Sequence, residues 1–97
     1  MITGKQRSKL KSIANGLNAT ASIGKSGVTD NVIKAIDDYL AANEIIKVSI
    51  REGAGLDTNT VCNALDENLN AEFVQAIGRK FVLYRRAKAK DKRKIVL

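Results

Sequence analysis

Apolar residues recur along this chain with two periods, and the switches between them lay out its elements. In residues 4–17, Leu10, Ile13, Ala14 and Leu17 follow the i, i+3, i+4, i+7 spacing of one helix face. Gly16 and Asn18 then supply a stop. Residues 19–23 read as a short, weakly apolar strand. A second helix over 30–43 buries Val32, Ile33, Ile36 and Leu40; Thr29 or Asp30 caps its start and Asn43 its end. Residues 45–51 are the clearest strand, with Ile46, Val48 and Ile50 pointing one way and Lys47, Ser49 and Arg51 the other. That alternation predicts a sheet with one packed face and one partly wet, basic face. Asp57 caps a third helix, which runs to Leu69 with Val61, Ala64, Leu65 and Leu69 inward and ends on Asn70. Residues 72–77 and 80–86 are two strands joined at Gly78-Arg79, a two-residue loop with glycine first that suits a type II′ turn. The order is a helix followed by βαβαββ. It predicts an α/β fold with a mixed four-stranded sheet, in which crossover helices set their flanking strands parallel and the last hairpin is antiparallel.

Length and composition fit this layout. Ninety-seven residues, 44% hydrophobic and 28% charged, suit one globular domain with a modest core. Residues 1–86 hold every predicted element, and 87–97 read as a basic, mobile tail. No run approaches the ~20 apolar residues of a membrane span, and no signal peptide opens the chain. The absence of histidine excludes imidazole acid–base chemistry, Ser-His triads and histidine metal sites. Cys62 is the only cysteine, so neither an internal disulfide nor a cysteine metal cluster forms; on a helix beside Val61 it reads as a buried thiol. The chain therefore reads as a cytoplasmic protein that is not an enzyme and needs no cofactor.

Charge adds a partner. The net charge is +7, but residues 1–11 carry +4, residues 12–78 carry −5 and residues 79–97 carry +8. Lys5, Arg7, Lys9 and Lys11 stand four apart in pairs on the first helix, a spacing that mildly destabilises it. A mildly acidic body between two basic ends is the footprint expected for a polyanion, most often nucleic acid.

The candidate chemistry lies in Ile23-Gly24-Lys25-Ser26-Gly27, between a strand and a helix N-terminus. Two glycines permit a tight turn and close approach, Lys25 adds a positive charge, and the helix start adds free N–H groups and a positive dipole end. Gly24-Lys25-Ser26 matches the end of a nucleotide-binding P-loop, but the glycine that motif needs five residues earlier is Ala19. A GxxG loop that clamps a single-stranded nucleic-acid backbone, as in KH domains, fits the same residues; so does a plain tight turn. Phe81 and Tyr84 point to opposite faces of the last strand, as core residues or as a stacking platform for a base.

Four segments carry a specific resemblance: Thr3-Gly4-Lys5-Gln6-Arg7 with Leu10; Ile23 to Thr29; Glu44-Ile45-Ile46-Lys47-Val48; and Val74 to Arg79 with Val82-Leu83-Tyr84-Arg85. In this order and spacing they resemble the CRM-domain family (chloroplast RNA splicing and ribosome maturation), especially its free-standing bacterial YhbY-type members. The resemblance runs to about Arg86. It implies a KH-like fold similar to the C-terminal domain of bacterial translation initiation factor three. It also implies RNA binding, with ribosomal RNA or a precursor of the large ribosomal subunit as partner of a monomer. The expected contact residues are Gly24, Lys25, Ser26 and Gly27, extended by Lys5, Arg7, Lys9, Lys11, Arg79, Lys80 and Arg85. A protein-interaction module whose basic ends meet an acidic or ribosomal protein is the other reading of the same charge pattern.

Overall fold

The computed structural model describes residues 2–88, 91 and 95. The elements are α1 (Gly4–Asn15), β1 (Ala21–Ile23), α2 (Asp30–Asn43), β2 (Ile45–Ile50), α3 (Thr58–Leu69), β3 (Glu72–Ile77) and β4 (Lys80–Tyr84). Local chemistry sets most of their ends. Thr3 and Gln6 form a reciprocal capping box on α1, Thr29 Oγ1 accepts the Val32 N–H at α2, and Asp57 Oδ2 accepts the Thr60 N–H at α3. Asn70 closes α3 in the left-handed region, at φ 53°. In the hairpin Gly78 has φ 60° while Arg79 keeps a negative φ, the combination a type II′ turn requires.

The four strands form one mixed sheet in the order β1-β2-β4-β3. β1 and β2 are parallel, with Ala21 opposite Val48 and Ile23 opposite Ile50. β4 lies between β2 and β3 and runs against both, pairing Ile45 with Tyr84 and Ile77 with Lys80. β2 and β3 are thus parallel in direction but separated by β4. The hairpin does not simply add to the sheet's edge; its second strand is inserted at the centre.

Both faces are covered. Ile23, Ile46, Val48, Ile50, Phe81 and Leu83 pack against Ile36 and Leu40 of α2 and Val61, Leu65 and Leu69 of α3. On the other face Ile45, Val74, Val82 and Tyr84 pack against Leu10 and Ala14 of α1. The wet face expected for β2 is therefore largely closed by α1. Lys47 is half-buried there, and its Nζ donates to the Leu17 carbonyl at 2.9 Å. Phe81 and Tyr84 do point to opposite faces, and both are core residues.

Several boundaries shift inward. β1 starts at Ala21 rather than residue 19, α1 stops at Asn15, and β4 stops at Tyr84. α2 ends at residue 43 as expected, but its C-cap is Glu44, not Asn43, in the left-handed region at φ 69°. That conformation costs a non-glycine residue about 1 kcal/mol, and its surroundings explain why it persists. Glu44 is fully buried; its carboxylate accepts the N–H groups of Ala87 at 2.9 Å and Ile95 at 3.0 Å, and its carbonyl accepts from Arg85. A hydrogen bond contributes about 0.5–1.5 kcal/mol net, so the three together outweigh the strain. At Ala87 and Ile95 the expected mobile tail is thus tied to the body, while 89–90, 92–94 and 96–97 lie outside the described residues. No helix among the described residues is long and apolar enough to cross a membrane.

Cys62 is buried on α3, and burial, with Asp66 one turn on, pushes its thiol up to about 12. Such a thiol stays protonated near neutral pH and is inert as a nucleophile. Asp66 is itself held up at about 6, first by burial and then by Glu72, and its buried Oδ1 has no hydrogen-bond partner. Below about pH 4 folded and unfolded chains are both protonated here; between about 4 and 6 only the folded chain keeps the proton, so stability falls as pH rises. Asp66→Asn should therefore stabilise the fold at pH 7.5 by on the order of 2 kcal/mol, with the gain vanishing towards pH 4. Urea midpoints of both proteins across that range check this; a gain independent of pH would assign the effect to something other than the carboxylate's charge.

Candidate functional site

Strand direction gathers three loops at one end of the sheet. β1, β2 and β3 run the same way, so the Gly24–Gly27 loop, the 51–57 loop and the Gly78-Arg79 turn all leave from that end. They are bonded to one another: the Arg51 N–H donates to the Ile23 carbonyl at 2.9 Å, Ile50 N–H to Arg79 at 2.7 Å, and Thr58 Oγ1 to the Gly78 carbonyl at 3.1 Å. The N-termini of α2 and α3 start from the same loops, adding two positive dipole ends.

Within the glycine loop the Gly27 N–H donates to the Gly24 carbonyl at 3.0 Å, closing a turn, and Gly27 has φ 71°. That φ demands glycine on conformational grounds. Gly24 differs: a Cβ there would meet the Arg51 Cδ at 3.6 Å, an ordinary contact, so its packing tolerates a small side chain. Lys25 and Ser26 are exposed. The amides of Lys25, Ser26 and Val28 have no acceptor among the described residues, which leaves three N–H donors beside the Lys25 ammonium. This is the composition of an anion-binding loop. Asp30 in the first turn of α2 opposes it.

Other cations are drawn to this end by the fold. Arg51 lies against Gly24, and Arg79 and Lys80 begin the return strand. Arg79 also stands 3.8 Å from Glu52, but both are exposed, so the pair is weak and leaves Arg79 available to an anion. Sequence reasoning left Arg51 as a solvated residue; the signal available was that two parallel strands place their C-terminal ends side by side.

The remaining cations lie elsewhere. α1 covers the face opposite α2, and the Arg7 Nε donates to the Phe73 carbonyl at 3.2 Å, near the start of β3. This sets Lys5 and Arg7 at the far end from the glycine loop, a six-residue strand or about 20 Å away. Lys9 and Lys11 follow on the exposed side of α1. Arg85 stands apart from both groups. Its Nη1 bonds Asp37 Oδ1 at 2.6 Å and the Leu69 carbonyl at 3.1 Å, and its Nη2 bonds the Asp37 carbonyl at 2.9 Å. The guanidinium thus ties β4's end to α2 and α3 and is engaged within the fold. Phe81 and Tyr84, buried in the two cores, offer no stacking platform. No group of three or more histidine, cysteine or acidic residues among those described is placed to hold a metal ion.

Comparison with known proteins covers nearly the whole chain. Residues 2–85 match the family model of the CRS1 / YhbY (CRM) domain. "Probable RNA-binding protein YqeI" of Bacillus subtilis is 43% identical over 88 residues, covering 91% of this chain and 92% of that protein. An "RNA-binding protein" of Haemophilus influenzae is 37% identical over 87 residues, covering 87% and 85%. The solution structure of SAV1595 from Staphylococcus aureus superposes with a TM-score of 0.80 at 36% identity, covering 99% of this chain and all of that one.

The Arg85 geometry makes a direct prediction. Arg85 has a side-chain exposure of 21% and Asp37 of 50%, so solvent screens part of the pair. Arg85→Ala should cost about 1–2 kcal/mol, and Arg85→Lys should recover little of it, because an ammonium cannot reproduce the forked contacts. Urea midpoints check both variants; wild-type stability in Arg85→Ala would show that the clamp contributes nothing.

Proposed function

Since the chain belongs to the CRS1/YhbY (CRM) domain family, we propose that it binds RNA through the loop end of its sheet. The observation that carries this reading is the exposed Lys25 between Gly24 and Gly27, whose amide and those of Ser26 and Val28 have no acceptor among the described residues, just before α2. An RNA phosphate takes the loop's N–H donors and the Lys25 charge. Ser26, Arg79 and Lys80, joined by Arg51, extend the contact along the backbone. These contacts position RNA without reading its sequence. Lys5, Arg7, Lys9 and Lys11 give a second phosphate contact on α1, suited to a folded RNA large enough to reach both ends of the sheet. Arg85 is not part of the surface. The names of the Bacillus and Haemophilus relatives support RNA as the partner.

The finer reading is a monomer in the cytoplasm that associates with ribosomal RNA during assembly of the large ribosomal subunit. Its support is the YhbY-type family and the spread of cations over two ends. Sedimentation of extract on a gradient, with RNA crosslinking of the protein-bearing fractions, tests it. Co-migration with a large-subunit precursor is expected, and protein confined to the top of the gradient would remove it.

For the site itself, Lys25→Ala should weaken RNA binding and make the log–log salt dependence shallower by about one unit. Filter binding from low to moderate salt measures both. An unchanged affinity and slope would take the glycine loop out of the interface.

A further inference from the structure

α1 covers Val82 but stops before the last row of the sheet, and a recess opens at its end. β2, β4 and β3 place Lys47, Val82 and Gln75 side by side in one row and Ser49, Lys80 and Ile77 in the next. The cavity above them has a volume of about 170 Å³ and is lined by Asn15, Lys47, Gln75, Ile77, Lys80 and Val82. Ile77 is 68% exposed, a large aliphatic side chain presented to solvent on a surface otherwise well covered.

The lining fits one kind of occupant. The cavity is smaller than the roughly 300–1,000 Å³ of pockets that hold drug-sized ligands, so it admits a single ring system rather than a whole cofactor. Ile77 gives apolar contact, and the buried Val82 only closes the floor. The amides of Asn15 and Gln75 each carry donors and an acceptor, the pairing groups side chains use on base edges. Lys47 is held in place by its bond to the Leu17 carbonyl and retains two N–H donors. With Lys80 it puts two positive charges in the lining and no acid opposes them. An isolated phosphate would not use the apolar wall, and an acidic side chain, which only accepts, would leave the amide carbonyls unpaired. A base attached to a phosphate chain uses all of these groups.

Position supports the same occupant. Ile23 pairs with Ile50, and Ser49 with Lys80, so the recess lies two interstrand steps, about 10 Å, from the strand leading into Gly24. We propose that this recess takes one unpaired nucleobase of the RNA whose backbone lies at Gly24–Gly27. The proposal rests on the RNA-binding reading above and adds a base-reading site to it. Ile77 covers the face of the base, and Gln75 and Asn15 meet its edge.

Short single-stranded RNA oligomers, intact and with their bases removed as abasic residues, test it by fluorescence anisotropy on the wild-type protein, Lys25→Ala, and the double variant Gln75→Ala with Ile77→Ala. Wild type should bind intact RNA about five- to tenfold more tightly than abasic RNA. The double variant should lose that preference while keeping the wild-type salt slope, and Lys25→Ala should keep the preference with a shallower slope. Removing exposed Ile77 leaves both cores intact, and a thermal melt confirms folding. Equal wild-type affinity for intact and abasic RNA overturns the proposal whatever the variants do, and leaves backbone binding standing. A folded double variant that still prefers intact RNA overturns it too. Wild type that binds neither oligomer overturns both the recess and the RNA reading.

Discussion

The insertion of β4 between β2 and β3 is the constraint on which the rest of the structure depends. With its ladder from Ile45–Tyr84 to Ser49–Lys80, β4 is a central strand and needs apolar cover on both faces. Phe81 and Leu83 meet α2 and α3, while Val82 and Tyr84 meet α1. The same insertion carries the Gly78-Arg79 turn against the end of β2, where Arg79 accepts the Ile50 N–H. Without it, Arg79 and Lys80 would sit at a sheet edge, remote from the glycine loop. Packing at the centre and charge at the loop end are therefore two results of one strand order.

The two ends of the sheet are used differently. At the far end Glu44 and Arg85 are engaged with backbone groups of the tail, α2 and α3, in bonds that fix the fold. At the loop end Lys25 is exposed, Arg79 has a screened carboxylate beside it, and three amides lack acceptors among the described residues. Magnitude decides between the two uses of an arginine. A partly buried guanidinium with three hydrogen bonds contributes stability that exposed pairs of about 0–1 kcal/mol do not. Lys25 and Arg79, exposed and with little to gain inside the fold, are left for a polyanion.

Much of this was legible in the sequence because it is written locally. Thr29, Asp57 and Asn70 cap helices through side-chain or backbone chemistry that needs no distant partner, and glycine at 78 names its own turn. The Ile46, Val48, Ile50 alternation identified the packed face of β2. What escaped depends on contacts across many residues. Nothing beside Glu44 in the sequence marks it for burial; Ala87 and Ile95, 43 and 51 residues away, donate to its side chain. Arg85 counted as one more cation in a basic run until Asp37, 48 residues back, claimed it. Lys47 was assigned to water because period two gives a side chain's direction but not whether a helix lies over it.

The open row beyond the end of α1 follows from the same topology. A 12-residue helix reaches about 18 Å, and α1 starts beside Phe73, near one end of β3. After Gly16 the chain must leave β3's side and cross to β1, at the opposite edge of the sheet. Leu17 and Thr20 make that crossing while bonded to Lys47, through its ammonium and its carbonyl. One more turn of helix would lie over Ser49, Lys80 and Ile77, but it would carry the chain past the point where it has to turn across. The exposure of Ile77 is therefore a consequence of where the first strand lies. Lys47, which anchors the crossing, also faces, with Lys80, the space the crossing leaves open.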